Sequence, residues 1–259
     1  MNQVDFIVVL FVFAFIGLAG VSIVNARQTR ARLVSQKITQ LKRRISELDE
    51  ISLGIESLVT TTTPSRVVLE ELYDTIQGMV QLDHDNQSLQ TALSTAKKRL
   101  SEIKTRSKPD ILYRLMASDA SIAKAQYQIS EAARIIRKRQ ATGRVEISEM
   151  NNLIGELSWA NLMIVVITLT GQGHKAVRSG EVLKACAFYK KAQQAAMEST
   201  LGDERRHQFV RELTEILSNK RKNLSLQLMP ETEFNVSESE NTPALTLTAP
   251  DEVELPPVQ

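Results

Sequence analysis

Residues 6–24, FIVVLFVFAFIGLAGVSIV, run for nineteen positions without a charge, and Ser22 is the single polar side chain among them. Wound as a helix, the stretch is ~28 Å long at ~1.5 Å per residue, close to the ~30 Å hydrocarbon core of a bilayer. The chain is therefore expected to carry a transmembrane helix at 6–24, preceded by a short extracytoplasmic N-terminus at 1–5. Everything after it reads as helix in water and then a polar tail.

The flanks set the direction. A cleavable signal peptide has basic residues before its apolar run and a small-residue cleavage site after it. Here MNQVD precedes the run with no basic side chain and one acid, Asp5. Residues 25–44 follow with Arg27, Arg30, Arg32, Lys37, Lys42, Arg43 and Arg44, and no acid. The positive-inside rule places that flank in the cytoplasm, with the N-terminus out and the C-terminus in. This predicts an uncleaved single-pass protein of the plasma or inner membrane, and the lack of organelle signals favours a bacterial host. Ala14, Gly17 and Gly20 share one flank of the helix, but at a three-residue spacing rather than GxxxG, so they argue only weakly for pairing of anchors.

Beyond the anchor the composition is that of an all-α chain: aromatics make up 5% and Gly 10 residues of 259, and few runs alternate with period two. Cys186 is the sole cysteine, so no disulfide can form within the chain, in keeping with a reducing compartment. The net charge of +2 hides a division. Residues 230–259 contain seven acids and no Lys or Arg, which leaves +9 on the first 229 residues. The same thirty residues hold five of the seven prolines, with many Ser, Thr and Glu, the composition of a disordered tail.

Between anchor and tail the apolar residues fall into helical series. Val34, Leu41, Leu48 and Ile55 form one seam of a heptad; Ile38, Ile45 and Val59 form the other, interrupted by Ser52. Residues 25–59 are accordingly expected to be a basic juxtamembrane stalk. Two uses of its seam (34–59) are open: a parallel homodimeric coiled coil, or packing on helices further down the same chain. Thr63 and Pro64 predict the start of a second helix, carrying Val68, Leu72, Ile76 and Met79. A break at residues 83–88 separates it from the series Leu89, Leu93, Ala96, Leu100 and Ile103. Ile111, Leu115, Ile122, Ile129 and Ile136 predict a third long helix. The uncharged run 157–173 is dense in apolar residues over only eight positions and reads as a buried central helix, with a second membrane crossing as the rival. A last helix is expected from about Asp203 to Lys222. The predicted cytoplasmic helical domain thus spans 64–229.

Gly173, Gly180, Ala185, Tyr189 and Ala192 have the spacing of the small and aromatic positions of a tetratricopeptide repeat. Residues 166–199 resemble one degenerate repeat of that family, which implies a helical hairpin closed through small side chains. No second copy follows, whereas a solenoid needs about three repeats. The resemblance singles out Ala185, Tyr189 and Ala192 as candidate partner-binding residues.

Chemical motifs are missing. No P-loop, HExxH, CxxC, GxSxG or EF-hand pattern occurs, so no catalytic residue, cofactor or metal ligand is expected. Asp83, His84 and Asp85 are adjacent and point in different directions on a helix, which makes them a poor ligand set. The basic clusters Lys97–Arg99, Arg134 with Arg137–Arg139, and Lys220–Lys222 have acids close by and little aromatic interleaving. The sequence points to a membrane-anchored helical scaffold or adaptor, not an enzyme. It would hold a cytoplasmic protein partner, or a second copy of itself, at the membrane. The alternative is a membrane-tethered nucleic-acid-binding protein using the basic body.

Overall fold

The computed structural model describes residues 3–84, 86–106, 108, 112–202 and 204–229. The expected tail (230–259) and the side chains of the expected anchor (6–24) lie outside the described residues, as do Met1 and Asn2 of the N-terminus. Among the described residues the chain is all-α, with seven helices packed as a bundle.

Helix α1 (Gln3–Leu58) runs unbroken for 56 residues, or ~84 Å at ~1.5 Å per residue. No proline interrupts it, and the Thr run at 60–63 ends it just before Pro64. Helix α2 (Thr63–Leu82) starts with Pro64 in its first turn, where the missing N–H costs nothing, and buries Val67, Val68, Leu72, Ile76 and Met79. Thr62 rather than Thr63 takes the N-cap position, and its hydroxyl donates to the Arg106 carbonyl at 2.6 Å. The break after Leu82 falls where the polar patch predicts it. There Asn86 Nδ2 donates to Asp83 Oδ2 at 3.1 Å. Helix α3 (Gln87–Thr105) buries only Leu89, Ala96 and Ile103, seven residues apart, and forms an edge of the bundle.

The third long helix starts later than its apolar series predicts. Residues 112–116 are not helical, and α4 begins at Asp119 and ends at Ala141. Ser118 caps it by accepting from the Ser121 N–H at 3.2 Å. The preceding strap satisfies its backbone elsewhere. Tyr113 N–H donates to the Ser57 carbonyl at 2.8 Å, and Met116 N–H to Thr168 Oγ1 at 3.0 Å. Leu115 still packs into the apolar core, against Gly171, without being on a helix itself. Gly143, at φ +73°, turns the chain after α4.

Helix α5 (Ile147–Arg178) is the axis of the bundle. One side joins a core made with the end of α1, α2, α3 and α4, through Leu153, Leu157, Ala160 and Ile164. Another side joins a second core through Trp159, Met163, Val166, Ile167 and Val177, built with α6 (Val182–Glu198), α7 (Glu204–Leu217) and Leu224, Leu228 and Met229. A helix covered on both sides has no need of a polar face. That is why residues 157–173 read like a membrane segment. Among the helices whose side chains are described, α5 is the one long and apolar enough to cross a bilayer, and it is mostly buried inside the bundle. Helix α7 stops five residues short of the expected Lys222. Asn219 adopts a left-handed conformation (φ 57°), and the Lys220 N–H returns to the Glu215 carbonyl at 2.8 Å.

The stalk seam divides. Leu48, Ser52, Ile55 and Val59 are buried, packed on helices further along the same chain. Ile38, Leu41 and Ile45 are half-buried, and Leu33, off the seam, is 59% exposed. Three cross-links fix the lower stalk to α4. Tyr127 Oη donates to Glu47 at 2.5 Å, Lys124 pairs with Glu50 at 2.6 Å, and Arg44 reaches Glu131 at 3.5 Å. Between Arg32 and Arg43 most of the described side chains are exposed.

Candidate interaction surfaces

The α5–α6 hairpin closes through small residues. Gly180, at φ +75°, makes the turn. Gly173 lies flat against the Tyr189 ring, and a Cβ there would stand 2.8 Å from Cδ1 and 2.9 Å from Cζ. Only a residue without a side chain permits that approach. Ala185 and Ala192 are fully buried and Tyr189 is 1% exposed. All three candidate partner-binding residues therefore lie on the inner face of α6, against α5 and the second core, and reach no partner unless the hairpin opens.

His174 extends this contact. Its Nδ1 lies 2.8 Å from Tyr189 Oη, and its Nε2 is buried with no hydrogen-bond partner. Burial first, and the Arg178 charge second, depress the imidazole to about 4. Burial likewise raises the Tyr189 hydroxyl. Both groups are neutral at pH 7 and buried, so the pair packs and orients the hairpin. Cys186 beside it is a buried free thiol.

The opposite face of α6 is different. Leu183, Ala187, Lys190, Lys191, Gln194 and Met197 are all exposed, and at ~100° per residue they fall in one arc of the helix. Leu183 is 73% and Met197 61% exposed, two large apolar side chains left uncovered on this face. A separate groove of ~630 Å³ runs between α4, α5 and the α6–α7 connection, with Arg137, Ser158 and Asn161 among its polar lining and Ile154, Leu162 and Val165 among its apolar lining.

The basic clusters are largely occupied within the chain. Arg99 pairs with Asp49, Arg134 with Glu131 at 2.5 Å, Lys138 with Glu71 at 2.8 Å, and Arg221 with Glu212 at 3.0 Å. Arg139 is the most elaborate. Its buried guanidinium meets Asp74 at 2.8 Å, Glu71 at 3.1 Å and Glu70 at 3.2 Å, clamping α4 to α2. Burial alone would raise the Glu71 pKa, but hydrogen bonds from Lys138 and Arg139 outweigh it and lower it. This clamp was readable in principle: Arg139 continues the buried stripe of Ala132, Ile135 and Ile136, a position a lone cation takes only with partners. Glu212 does the same on α7. It is 3% exposed, and accepts from the Ser225 N–H at 2.7 Å to tie down the segment after the helix.

Among the described residues no group of three or more His, Cys, Asp or Glu side chains is arranged to hold a metal ion. No protein-family model, curated protein or solved structure matches the chain.

Proposed function

We propose that this protein is a membrane-anchored helical scaffold or adaptor: residues 6–24 hold it in the bilayer, and the bundle presents a docking surface to a cytoplasmic partner. The observation that carries the reading is the continuity of α1. One helix joins the apolar stretch to the bundle core, with no proline and no break before Leu58. Residues 25–44 add ~30 Å between the two at ~1.5 Å per residue. Whatever holds the first turns positions the bundle through a rod, not a tether. Exposed Arg32, Lys37, Lys42 and Arg43 line that rod where anionic headgroups would meet it, each attracted by about 1 kcal/mol near the surface.

The lower seam, taken up inside the chain, argues against self-pairing as the main role. What remains for a second copy, residues 34–45, is about two heptads, short of the three to four that a stable coiled coil needs. Arg44, which would face Asp49 of a second stalk, is engaged with Glu47 at 2.7 Å. Pairing of the basic clusters argues in the same way against a nucleic-acid partner. The close crossing of Gly173 on Tyr189 supports residues 166–199 as a single hairpin similar to a tetratricopeptide repeat. With its small-residue face filled by its own helices, that hairpin serves packing instead of peptide capture. Proximity labelling from an enzyme fused after Gln259 tests the proposal. A reproducible cytoplasmic protein among the labelled set is expected; labelling of extracytoplasmic proteins alone would refute it.

A further inference from the structure

The outer face of α6 asks for a cover. It combines two exposed apolar side chains, Leu183 and Met197, with the exposed pair Lys190 and Lys191 between them. Neither lysine pairs with a described acid. The surrounding unit is basic as a whole: residues 159–229 hold eleven Lys and Arg against six Asp and Glu. The chain then leaves this same unit at Met229, which is buried in its core, and continues for thirty residues with the opposite charge.

We propose that the acidic tail, residues 230–259, docks in cis on the outer face of α6. The chemistry is complementary on both counts. The tail offers seven acids to the Lys190–Lys191 pair and sets apolar residues among them: Phe234 and Val236 between Glu233 and Glu238, and Val253 and Leu255 beside Glu252 and Glu254. Reach is not limiting, because even ten extended residues span ~33 Å, about the width of a small domain. Attachment at Met229 makes the contact intramolecular, so weak individual pairs act at a high effective concentration. This does not depend on the anchor or on the scaffold reading, and its test needs no membrane.

The test is lysine footprinting of the full chain in detergent with an amine-acetylating ester, read by mass spectrometry. The comparison is with a chain ending at Met229 and with a full-length chain whose tail acids are changed to the amides (Glu231, Glu233, Glu238, Glu240, Glu252 and Glu254→Gln, Asp251→Asn). Exposed Lys37 and Lys97 serve as internal references. In the full chain, Lys190 and Lys191 are expected to react roughly three- to tenfold more slowly, the protection given when effective concentration exceeds the dissociation constant several-fold. Both comparison chains should lose that protection, as should the full chain in high salt. Equal labelling with and without the tail overturns the proposal. So does protection that vanishes on dilution (the tail of a second copy), that persists in high salt or in the amide chain, or that extends equally to Lys37 and Lys97.

Discussion

Two glycines of α5 should respond in opposite directions to the same substitution. Gly155 is exposed, and a Cβ built there meets nothing within 4 Å. Alanine at that site gains helix propensity of about 1 kcal/mol and loses nothing. For a domain of this size that raises the melting temperature by roughly 2–4 °C. Gly173 offers the same propensity gain, but its Cβ would enter the Tyr189 ring. The ring cannot step aside: it is 1% exposed, packed in the second core, and held to His174 at 2.8 Å. Overpacking of this kind costs about 1–3 kcal/mol, and a locked ring puts Gly173→Ala at the upper end. The net effect is a loss of about 2 kcal/mol, or ~4–8 °C. Thermal and urea melts of residues 25–229, followed by circular dichroism, measure both. Tyr189→Leu should make the alanine far less costly, so the pair is non-additive by about 1 kcal/mol or more. If Gly173→Ala stabilises the fold as Gly155→Ala does, the close hairpin crossing is not present.

Other perturbations probe the stalk, the buried histidine and the ion clamp. Ile55→Ala should cost about 2–5 kcal/mol because the side chain is fully buried, while Leu33→Ala, off the seam on the exposed stretch of the same helix, should change the melt by less than about 0.5 kcal/mol. Acid should weaken the fold through His174: its pKa lies below its unfolded value of 6.5, so the unfolded state binds the proton first. Stability is then full above about pH 6.5 and falls as pH drops towards about 4. The loss amounts to roughly 3 kcal/mol, and in His174→Gln that part of the pH profile should flatten. Arg139→Leu leaves Glu70, Glu71 and Asp74 short of their shared cation and should cost about 3 kcal/mol at pH 7. Because Glu71 is held below 4.5, its pairing stabilises above that pH and is lost beneath it. The difference between Arg139→Leu and the parent chain should therefore shrink in acid.

Much of the fold was legible because apolar spacing and proline placement act locally. Pro64 and the polar patch at 83–88 mark real helix boundaries. Other features depend on neighbours that a sequence does not reveal. The apolar series through Ile111 and Leu115 suits a helix, yet Leu115 reaches Gly171 from an extended strap whose backbone bonds Ser57 and Thr168. The heptad of residues 34–59 specifies a seam that buries one face, and the same pattern serves a second copy or the chain's own helices. Leu48 and Ile55 meet α2 and α4 of the same chain, which only the packed bundle reveals. Residues 157–173 lack a polar face because cores lie on two sides. Among site residues, Tyr189 and its small neighbours stood out by spacing, but spacing does not tell which face is covered. The exposed stripe from Leu183 to Met197 carries no motif at all and becomes visible only once the inner face of α6 is known.

The central claim is that a bundle is fixed to the bilayer through one continuous helix, and membrane extraction tests it most directly. Cells expressing the full chain, or a chain lacking residues 1–24, are lysed and their membranes washed in alkaline carbonate. The full chain should remain in the pellet, and the shortened chain should appear in the soluble fraction as a folded, helical protein. Release of the full chain by carbonate, or retention of the shortened one, would contradict the account; the second result would point to another membrane-binding element in the bundle.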